Sequence, residues 1–233
     1  MINDAINALR DGKFVLIYDF DNRERETDLT IRSDAVTAQD ILRMRKDGGG
    51  LICTAVHPDA AKTLGLPFAT DIFARCGELA EKEGDVPYDR KNHSSFSLWV
   101  NHRETFTGIT DHDRALTITK VAEHVRSAMN GGGLPPFGRE FRTPGHSALL
   151  RAADTLLDQR QGQTELSIAL AIMAGVTPAV TVCEMLDDET GNALEKEKAR
   201  AYGEEHGFPF VTGEEIIEAW NNWKKEKLLS DRR

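Results

Sequence analysis

Charged side chains are concentrated in one short connection of the chain, residues 19–28. This connection carries five carboxylates and two guanidinium groups. It follows an apolar run at 14–18 that predicts a buried strand, and it precedes a second predicted strand at 29–31. Carboxylate oxygens are ligands that Mg²⁺ prefers, and a guanidinium group matches the oxygens of a phosphate. The connection could therefore bind a metal ion and a phosphorylated ligand, although a solvated hairpin loop with internal ion pairs explains the same charges.

Two further residues could carry protons. His146 follows Pro144 and Gly145 at a predicted turn, and histidine is the usual proton carrier near neutral pH. A lone histidine at a turn is nevertheless more often structural or solvated than catalytic. Glu184 is an acid inside an apolar predicted strand at 179–186. Since an unpaired buried carboxylate is costly, Glu184 either faces solvent at the strand end or lies in a site with a perturbed pKa.

A phosphate could also bind at residues 160–165. Arg160 is followed by Gly162 and by a predicted helix at 166–174. We expect Thr164 to be the N-cap of this helix, which would leave free backbone N–H groups beside the Arg160 guanidinium. The alternative is a plain helix–helix turn capped by Thr164, and the mechanics of this segment alone favour that alternative.

The composition is that of an ordinary soluble globular protein, with 40% hydrophobic and 29% charged residues among 233. The formal net charge of −9 disfavours a general nucleic-acid binder. Three cysteines without CxxC spacing argue against a disulfide framework or a structural zinc site. The N-terminus lacks the features of a signal peptide, and glycine and proline interrupt the most apolar stretch, 166–182. We therefore expect a cytoplasmic protein that binds neither membranes nor nucleic acid.

The elements that must position the charged residues are mixed strands and helices without a strict repeat. Thr37, with Asp40 three residues on, predicts one helix N-cap, and Thr110 or Asp111 predicts another. Residues 74–92 are charged and loop-rich. The predicted strands are 14–18, 29–31, 51–56, 96–100, 179–186 and 208–211, and the predicted helices are 2–11, 37–47, 57–65, 115–129, 148–159, 166–174, 195–206 and 214–223, with a turn at 142–146.

This order of elements predicts an α+β fold, in which a mixed sheet is surrounded by helices. No internal repeat is visible, so we expect a single domain over residues 1–226. The Lys- and Arg-rich end after Lys224 predicts fraying, and we assign 227–233 to a flexible tail.

Taken in order, the charged segments resemble 3,4-dihydroxy-2-butanone 4-phosphate synthase. The resemblance runs from about residue 6 to residue 216, nearly the whole chain, and none of it matches the cysteine-rich zinc site of GTP cyclohydrolase II. The resemblance is therefore to the monofunctional form. Its most specific pieces are Asp21-Asn-Arg-Glu-Arg-Glu-Thr-Asp28, Gly50-Leu-Ile-Cys53, Thr107-Gly-Ile-Thr with Asp113-Arg114, Arg142-Thr-Pro-Gly-His146, Arg160-Gln-Gly-Gln-Thr-Glu165 and Cys183-Glu184.

The resemblance implies the fold of this family, an activity and a set of partners. The family converts D-ribulose 5-phosphate to formate and 3,4-dihydroxy-2-butanone 4-phosphate for riboflavin biosynthesis, with Mg²⁺ or Mn²⁺ as cofactor. It works as a homodimer with its sites near the interface. By position, the resemblance implies catalysis by His146 and Glu184 and metal ligation by Glu24 and Gln163. It also implies substrate binding by Arg23, Glu24, Asp28, Arg160, Gln161, Gly162, Gln163, Thr164 and Glu184, with less weight on Asp21, Glu26, Cys53 and Thr110.

One position departs from the family pattern. Gln163 stands where the pattern has a metal-binding histidine. An amide oxygen can bind Mg²⁺, but it is a weaker ligand than a carboxylate. Two alternatives therefore stay open: another metal-dependent sugar-phosphate lyase or isomerase, and a non-catalytic relative that only binds sugar phosphates.

The implied chemistry has three requirements. A base removes a proton next to the ketone, a cation stabilises the resulting enediolate, and the phosphate is held so that the carbon chain is oriented. We expect the metal ion on Glu24 and Gln163. His146 and Glu184 would move the protons, and Arg160 would hold the phosphate at the helix N-terminus.

Overall fold

Seven strands form one mixed sheet in the computed structural model, which describes residues 1–79 and 87–230. Part of the predicted loop-rich segment, 80–86, and the last three residues of the predicted tail lie outside the described residues. The strand order is β4-β5-β3-β6-β2-β1-β7. The strands are β1 (Val15–Tyr18), β2 (Thr27–Arg32), β3 (Cys53–Val56), β4 (Phe96–His102), β5 (Phe141–Arg151), β6 (Ala179–Glu184) and β7 (Phe210–Thr212).

Helices cover both faces of the sheet, as the predicted α+β fold requires. Single 3₁₀ turns lie at Ser33–Ala35, Ala74–Leu79 and Leu156–Asp158. The helices of the described residues are α1 (Ile2–Arg10), α2 (Ala38–Asp47), α3 (Pro58–Leu64), α4 (Ala69–Phe73), α5 (Asp111–Met129), α6 (Phe137–Glu140), α7 (Gln163–Ala174), α8 (Lys196–His206) and α9 (Gly213–Ser230).

Alternate residues of strand β1 pack into two hydrophobic clusters on opposite faces of the sheet. Ile17 packs with α1, α7 and α9, whereas its neighbour Leu16 packs with α2, α5 and α8. Helix α7 is apolar all round, and Leu166, Ile168 and Leu170 are fully buried. Such a helix has to lie inside the protein. Its position against β3 and β6 brings its N-terminus to the end of the sheet that carries the acids.

The register of three strands brings predicted site residues together. Strands β2 and β6 are antiparallel, and Asp28 pairs with Glu184. Strand β3 lies on the other side of β6, where Cys53 pairs with Val182, two residues before Glu184. Paired residues on adjacent strands point to the same face. Residues that are far apart in sequence therefore meet at one end of the sheet.

The predicted helix at 148–159 is wrong, and the predicted turn at 142–146 is part of a strand. Strand β5 continues through Arg151 because it is an inner strand between β4 and β3. Ala148 and Leu150 pack on one face and Leu149 packs on the other, so the strand is apolar on both sides. A short apolar run of this kind has no period that separates a strand from a helix. Residues 143–146 bulge out of the pairing with β4.

The predicted N-caps of α2 and α5 are confirmed. Thr37 and Asp40 form a capping box at α2, and Thr110 accepts a hydrogen bond from the Asp113 N–H at the start of α5. Helix α9 runs to Ser230 rather than ending at residue 223, so the first part of the predicted tail is helical. The flexibility of 227–233 stays a prediction.

Candidate active site

A cavity of about 150 Å³ opens at the end of the sheet where β2, β3 and β6 meet α7. Six predicted substrate, metal or catalytic residues line it, together with lower-weight Cys53. Seven residues between 88 and 96 and two core residues complete the wall. The lining residues are Glu24, Asp28, Cys53, Tyr88, Asp89, Asn92, His93, Ser94, Ser95, Phe96, Leu150, Arg160, Gln163, Thr164, Val182 and Glu184.

The acidic connection folds around the fully buried carboxylate of Asp19. Its Oδ2 accepts hydrogen bonds from the Glu24 N–H at 2.9 Å and from Arg23 Nη1 at 3.2 Å. Its Oδ1 accepts from the Glu26 N–H at 3.0 Å. The tight path puts Arg25 in the left-handed region, with φ 59°. The connection is thus an ordered ring of backbone donors around one carboxylate, not a solvated hairpin loop, and it directs Glu24 into the cavity.

Arg23 lies just behind the cavity wall. Its Nη1 bonds the Glu24 carboxylate at 2.7 Å, and the Tyr88 ring covers the guanidinium carbon at 5.2 Å. The other terminal nitrogen, Nη2, is buried and has no partner among the described residues. A Cβ built on Gly162 would lie 2.7 Å from this Nη2 and closer still to Arg160 Nη1. Two guanidinium groups therefore converge on Gly162 from different elements.

Arg160 is fixed by a buried carboxylate. Its Nη1 donates to Glu165 Oε2 at 2.7 Å, and Glu165 Oε1 accepts from the Ala153 N–H at 2.9 Å. Glu165 is fully buried. A charged hydrogen bond of this kind holds the guanidinium plane in one orientation. The Nε of Arg160 lies 4.0 Å from the Asp89 carboxylate, which also lines the cavity.

Helix α7 begins earlier than predicted, and Thr164 is not its N-cap. Gly162 is the N-cap, its carbonyl accepts from the Leu166 N–H, and no side chain caps the helix. Thr164 lies in the first turn and lines the cavity. Only a 3₁₀ turn precedes Arg160, so the alternative of a helix–helix turn is excluded. The first N–H groups of a helix lack intrahelical acceptors and attract anions. Together with two guanidinium groups they form a cradle that fits a phosphate.

Gly162 is expected to matter for ligand affinity more than for folding. Gly162→Ala would push its methyl group into Arg160 Nη1 and Arg23 Nη2, which must then move. We expect phosphate or sugar phosphate to bind about tenfold more weakly, as measured by calorimetry. The matched control is Gly138→Ala, because a Cβ there meets nothing within 4 Å. Equal affinity in the two variants would contradict the cradle.

Gln163 presents an unpaired oxygen to the cavity. Its Nε2 donates to the carbonyl oxygens of Ile17 at 2.9 Å and Glu26 at 3.2 Å, which fixes the orientation of the amide. Its Oε1 is consequently turned to the other side, where it is buried and has no hydrogen-bond partner among the described residues. Leaving a buried acceptor unpaired costs about 1–3 kcal/mol. A bound cation would remove that cost, and Glu24 lines the same cavity.

The donor set fits a hard cation that keeps water or substrate oxygens. Among the described residues, no group of three or more histidine, cysteine, aspartate or glutamate side chains is arranged to hold a metal ion. Glu24 and Gln163 would supply one carboxylate and one amide oxygen. Magnesium usually binds proteins through one or two such oxygens and retains waters. The residues present therefore fit Mg²⁺ better than a metal that needs a closed protein cage.

Acids crowd one wall of the cavity and raise one another's pKa. Burial and then Glu184 raise the pKa of the fully buried Asp28 well above its ordinary value. Burial, followed by Glu24 and Glu184, raises the pKa of Glu26 to about 7. The pKa of Glu184 is raised by burial and by the charge of Glu24. Burial and mutual repulsion therefore favour the protonated forms of these acids.

The raised pKa of Asp28 predicts an unusual pH dependence of the free energy of unfolding. Asp28 has a raised folded pKa, so the metal-free protein loses stability as pH rises from the ordinary value of 3.8 toward that raised value. Asp28→Asn removes the cost of ionisation, and we expect it to stabilise the metal-free protein by about 1–3 kcal/mol at pH 8. The gain should shrink toward pH 4 in urea unfolding with EDTA. A variant less stable than wild type at both pH values would contradict this explanation.

Several predicted residues lie outside the cavity. The Gln161 amide donates to the Leu157 carbonyl at 3.4 Å, and Thr110 caps α5. The Asp21 side chain is exposed and accepts from the Tyr18 hydroxyl at 2.8 Å. His146 is exposed on the β5 bulge and does not line the cavity. The structure of one chain thus separates the two residues that were predicted to move protons.

The predictions missed the segment that closes the cavity. Tyr88, Asp89 and Asn92 lie in a region that was assigned only as loop-rich. Burial and the neighbouring Glu24 raise the pKa of Tyr88 to about 12, so its hydroxyl remains a donor at neutral pH. The polar run from 88 to 95 was the available signal, because loops that contain several hydrogen-bonding side chains often carry function. Asp19 was also missed, since it acts by shaping the acidic connection.

Fold and site together define an α+β protein with a cavity that fits a small anionic ligand between an acid-lined wall and a helix N-terminus. The family model of 3,4-dihydroxy-2-butanone 4-phosphate synthase matches residues 3–219. The synthase of that name from Methanosarcina mazei is 58% identical over 229 residues, which are 95% of this chain and 92% of that protein. The one from Archaeoglobus fulgidus is 54% identical and covers 97% of this chain and 96% of its own length.

Solved structures agree with the sequence matches. A crystal structure of the synthase in complex with two magnesium ions superimposes with a TM-score of 0.77 at 27% identity, covering 94% of this chain and 95% of that one. The Candida albicans synthase gives 0.74 at 26% identity, covering 94% and 96%. This chain belongs to the 3,4-dihydroxy-2-butanone 4-phosphate synthase family and is an enzyme. The predicted family, fold class and enzyme class are confirmed.

None of the helices in the described residues combines the length and apolar character that crossing a bilayer requires.

Proposed function

We propose that this chain converts D-ribulose 5-phosphate to 3,4-dihydroxy-2-butanone 4-phosphate and formate in riboflavin biosynthesis. The observation that carries the proposal is the division of the cavity into two walls. Arg23, Arg160 and the N-terminus of α7 form an anion cradle, and Glu24, Gln163 and the neighbouring acids face it. A sugar phosphate has a dianionic end for the cradle and hydroxyl and ketone oxygens for the opposite wall. The family membership supports the same activity.

Glu24 and Gln163 would hold Mg²⁺ or Mn²⁺. When bound, the ion would act as a Lewis acid that lowers the energy of an enediolate. The unpaired Oε1 of Gln163 and the carboxylate of Glu24 support this assignment, and the related structure with two magnesium ions is consistent with it. Oxygen ligation by an amide explains how a glutamine can serve where the family pattern has a histidine.

The other residues bind, orient or handle protons. Arg160, Gly162 and Thr164 would hold the phosphate, with Gln161 behind them. Asp28 would accept a hydrogen bond from a substrate hydroxyl, because its Oδ1 is buried and has no hydrogen-bond partner in the part of the chain that the structure describes. Glu184 would exchange protons with the carbon chain, since its raised pKa suits proton transfer near neutral pH.

We also propose that the protein is a homodimer in which His146 of one subunit completes the cavity of the other. His146 is exposed in the single chain and is not part of the cavity lining, yet two contacts with Asn101 hold it in place. Two apolar side chains near the same end of β4 support an interface there, because Phe106 is 94% exposed and Ile109 is 50% exposed. Large apolar side chains at that exposure are typical of subunit contacts.

The cytoplasm is the proposed location, with no membrane or nucleic-acid partner. The net charge of −9 and the three unpaired cysteines support this assignment.

Carbon NMR with ¹³C-labelled D-ribulose 5-phosphate tests the activity. We expect formate and a four-carbon phosphate with Mg²⁺, and no turnover with EDTA. An isomerase or aldolase would give products without formate, and a non-catalytic relative would bind the substrate without turnover, with Mn²⁺ as well as Mg²⁺. The non-catalytic relative is favoured only by Gln163, so the formate release of Gln163→His is to be compared with that of the wild type. Formate release by that variant alone would support a silenced relative.

A further inference from the structure

One buried side chain holds the exposed histidine of the β5 bulge at two points. Asn101, on β4, is 7% exposed. Its Oδ1 accepts a hydrogen bond from the backbone N–H of His146 at 2.8 Å, and its Nδ2 lies 3.1 Å from Nδ1 of the same residue. A backbone N–H can only donate, so this contact fixes which end of the Asn101 amide is oxygen. The amide nitrogen must therefore face the imidazole ring.

An amide nitrogen only donates hydrogen bonds, so Nδ1 of His146 has to accept. The proton of the neutral ring is then on Nε2. The histidine–carboxylate pairs among the described residues involve His57, His102 and His124, and none involves the His146 ring. Nothing in the described chain therefore competes with Asn101 for the tautomer.

We propose that Asn101 is a positioning residue that holds His146 in the neutral tautomer with its proton on Nε2. The inference rests on the proposed function and deepens it, because it assigns His146 the task of a hydrogen-bond donor instead of a base. A proton on Nδ1 would point at the N–H groups of the amide and break the clamp. Orienting one ring nitrogen through a partner on the other is how proteins select the active tautomer of histidine.

Residues 107–114 support the Asn101 side chain in this arrangement. Gly108 has φ +92°, and a Cβ at this position would overlap the Asn101 amide. The Asp113 carboxylate accepts from the backbone N–H groups of Gly108 at 2.8 Å and Thr107 at 3.0 Å. Asp113 therefore fixes the loop, and the loop backs the Asn101 amide against His146.

With this tautomer, Glu184 and His146 have different roles in the reaction, because Glu184 accepts a proton and His146 donates a hydrogen bond. When a carbon-bound proton next to the ketone leaves, it passes to a carboxylate, for which Glu184 is placed in the cavity. The bonding electron pair moves into the new carbon–carbon double bond, and the carbonyl pair moves onto oxygen. An Nε2–H donor stabilises that oxygen without giving up its own proton.

Nitrogen-15 NMR of histidine-labelled protein tests the tautomer without substrate. The His146 signals are identified by their loss in His146→Gln. We expect Nδ1 in the range of an unprotonated ring nitrogen and Nε2 in the range of a protonated one above neutral pH. A protonated Nδ1 in wild type would overturn the proposal. This readout does not depend on turnover, so it separates failure of the inference from failure of the proposed function.

Asn101→Asp is the decisive variant. A carboxylate can still accept from the His146 backbone N–H, but it favours a proton on Nδ1. We expect the tautomer to change and kcat for formate release to fall about 10²- to 10⁴-fold, as wrong-tautomer variants do, with KM within about threefold. Asn221→Asp on the exposed face of α9 is the matched control and should keep wild-type kcat. A changed tautomer with kcat within about twofold of wild type would overturn the donor role. Should Asn101→Asp fail to fold, the wild-type spectrum alone decides.

Discussion

A heterodimer of two inactive variants, His146→Ala and Glu184→Gln, is expected to show about half of the wild-type formate release. Each variant alone should lose at least about 10²- to 10⁴-fold in kcat, because one lacks the proposed hydrogen-bond donor to the substrate oxygen and the other lacks the proposed proton acceptor. In the heterodimer, one cavity would contain both substitutions and the other would contain neither. The recovered activity would come from that single intact site.

The expectation follows from where the structure places the two residues. Glu184 lines the cavity beside Asp28, its cross-strand neighbour on β2. His146, in contrast, is exposed on the β5 bulge outside the lining. If His146 serves the cavity of its own subunit, both sites of the heterodimer are defective and no activity returns.

The experiment requires co-expression of the two variants with different affinity tags, and purification through both tags. Each homodimeric variant is measured in parallel as the background. Circular dichroism and thermal unfolding of each variant control for folding. Failure to isolate any species that carries both tags would contradict the homodimer itself, and a heterodimer as inactive as its parents would contradict the shared site.

Arg160→Met is expected to destabilise the protein by about 3–5 kcal/mol and to abolish turnover. The loss of stability arises because the fully buried Glu165 would lose its ion-pair partner. The loss of turnover arises because the anion cradle loses one of its two guanidinium groups. A single variant cannot separate these two effects.

The double variant Arg160→Met, Glu165→Gln separates stability from function. A glutamine at 165 can still accept from the Ala153 N–H, which is the second hydrogen bond of the native carboxylate. Because glutamine is neutral, no unpaired charge is left buried, and we expect most of the lost stability to return. Turnover should stay absent, because the phosphate contact is still missing. Urea unfolding and formate release measure the two quantities, and Glu165→Gln alone completes the cycle.

Two results would contradict this division of roles. Recovery of formate release in the double variant would show that Arg160 acts only by neutralising Glu165. An Arg160→Met protein as stable as wild type would show that the buried carboxylate is protonated or solvated instead of paired.

Much of the fold could be predicted because its signals are local. The apolar run at 14–18, the capping box of Thr37 and Asp40, and the N-cap at Thr110 depend on neighbours within a few residues. Such signals depend on residue spacing within a short segment and not on tertiary contacts. The order of charged motifs also identified the family, since that order is a property of the chain alone.

Strand β5 shows where local signals end. The run Ala148 to Leu150 is apolar at every position, which suits a helix and an inner strand equally. The secondary structure of this run is decided by β3 and β4, which supply hydrogen bonds on both sides. These two strands lie tens of residues away in sequence. The N-cap of α7 was misplaced at Thr164 for a related reason, because Gly162 owes its position to the two arginines that close on it.

The sequence by itself therefore determined the family, the α+β class and the residue types of the site. Tertiary structure alone decided how these residues are grouped. The β2–β6 register sets Asp28 against Glu184, the hydrogen bonds of the Gln163 amide turn its oxygen into the cavity, and the β5 bulge carries His146 away from it. The physical reason is that strand register and amide orientation depend on partners distant in sequence, and no local spacing encodes those partners.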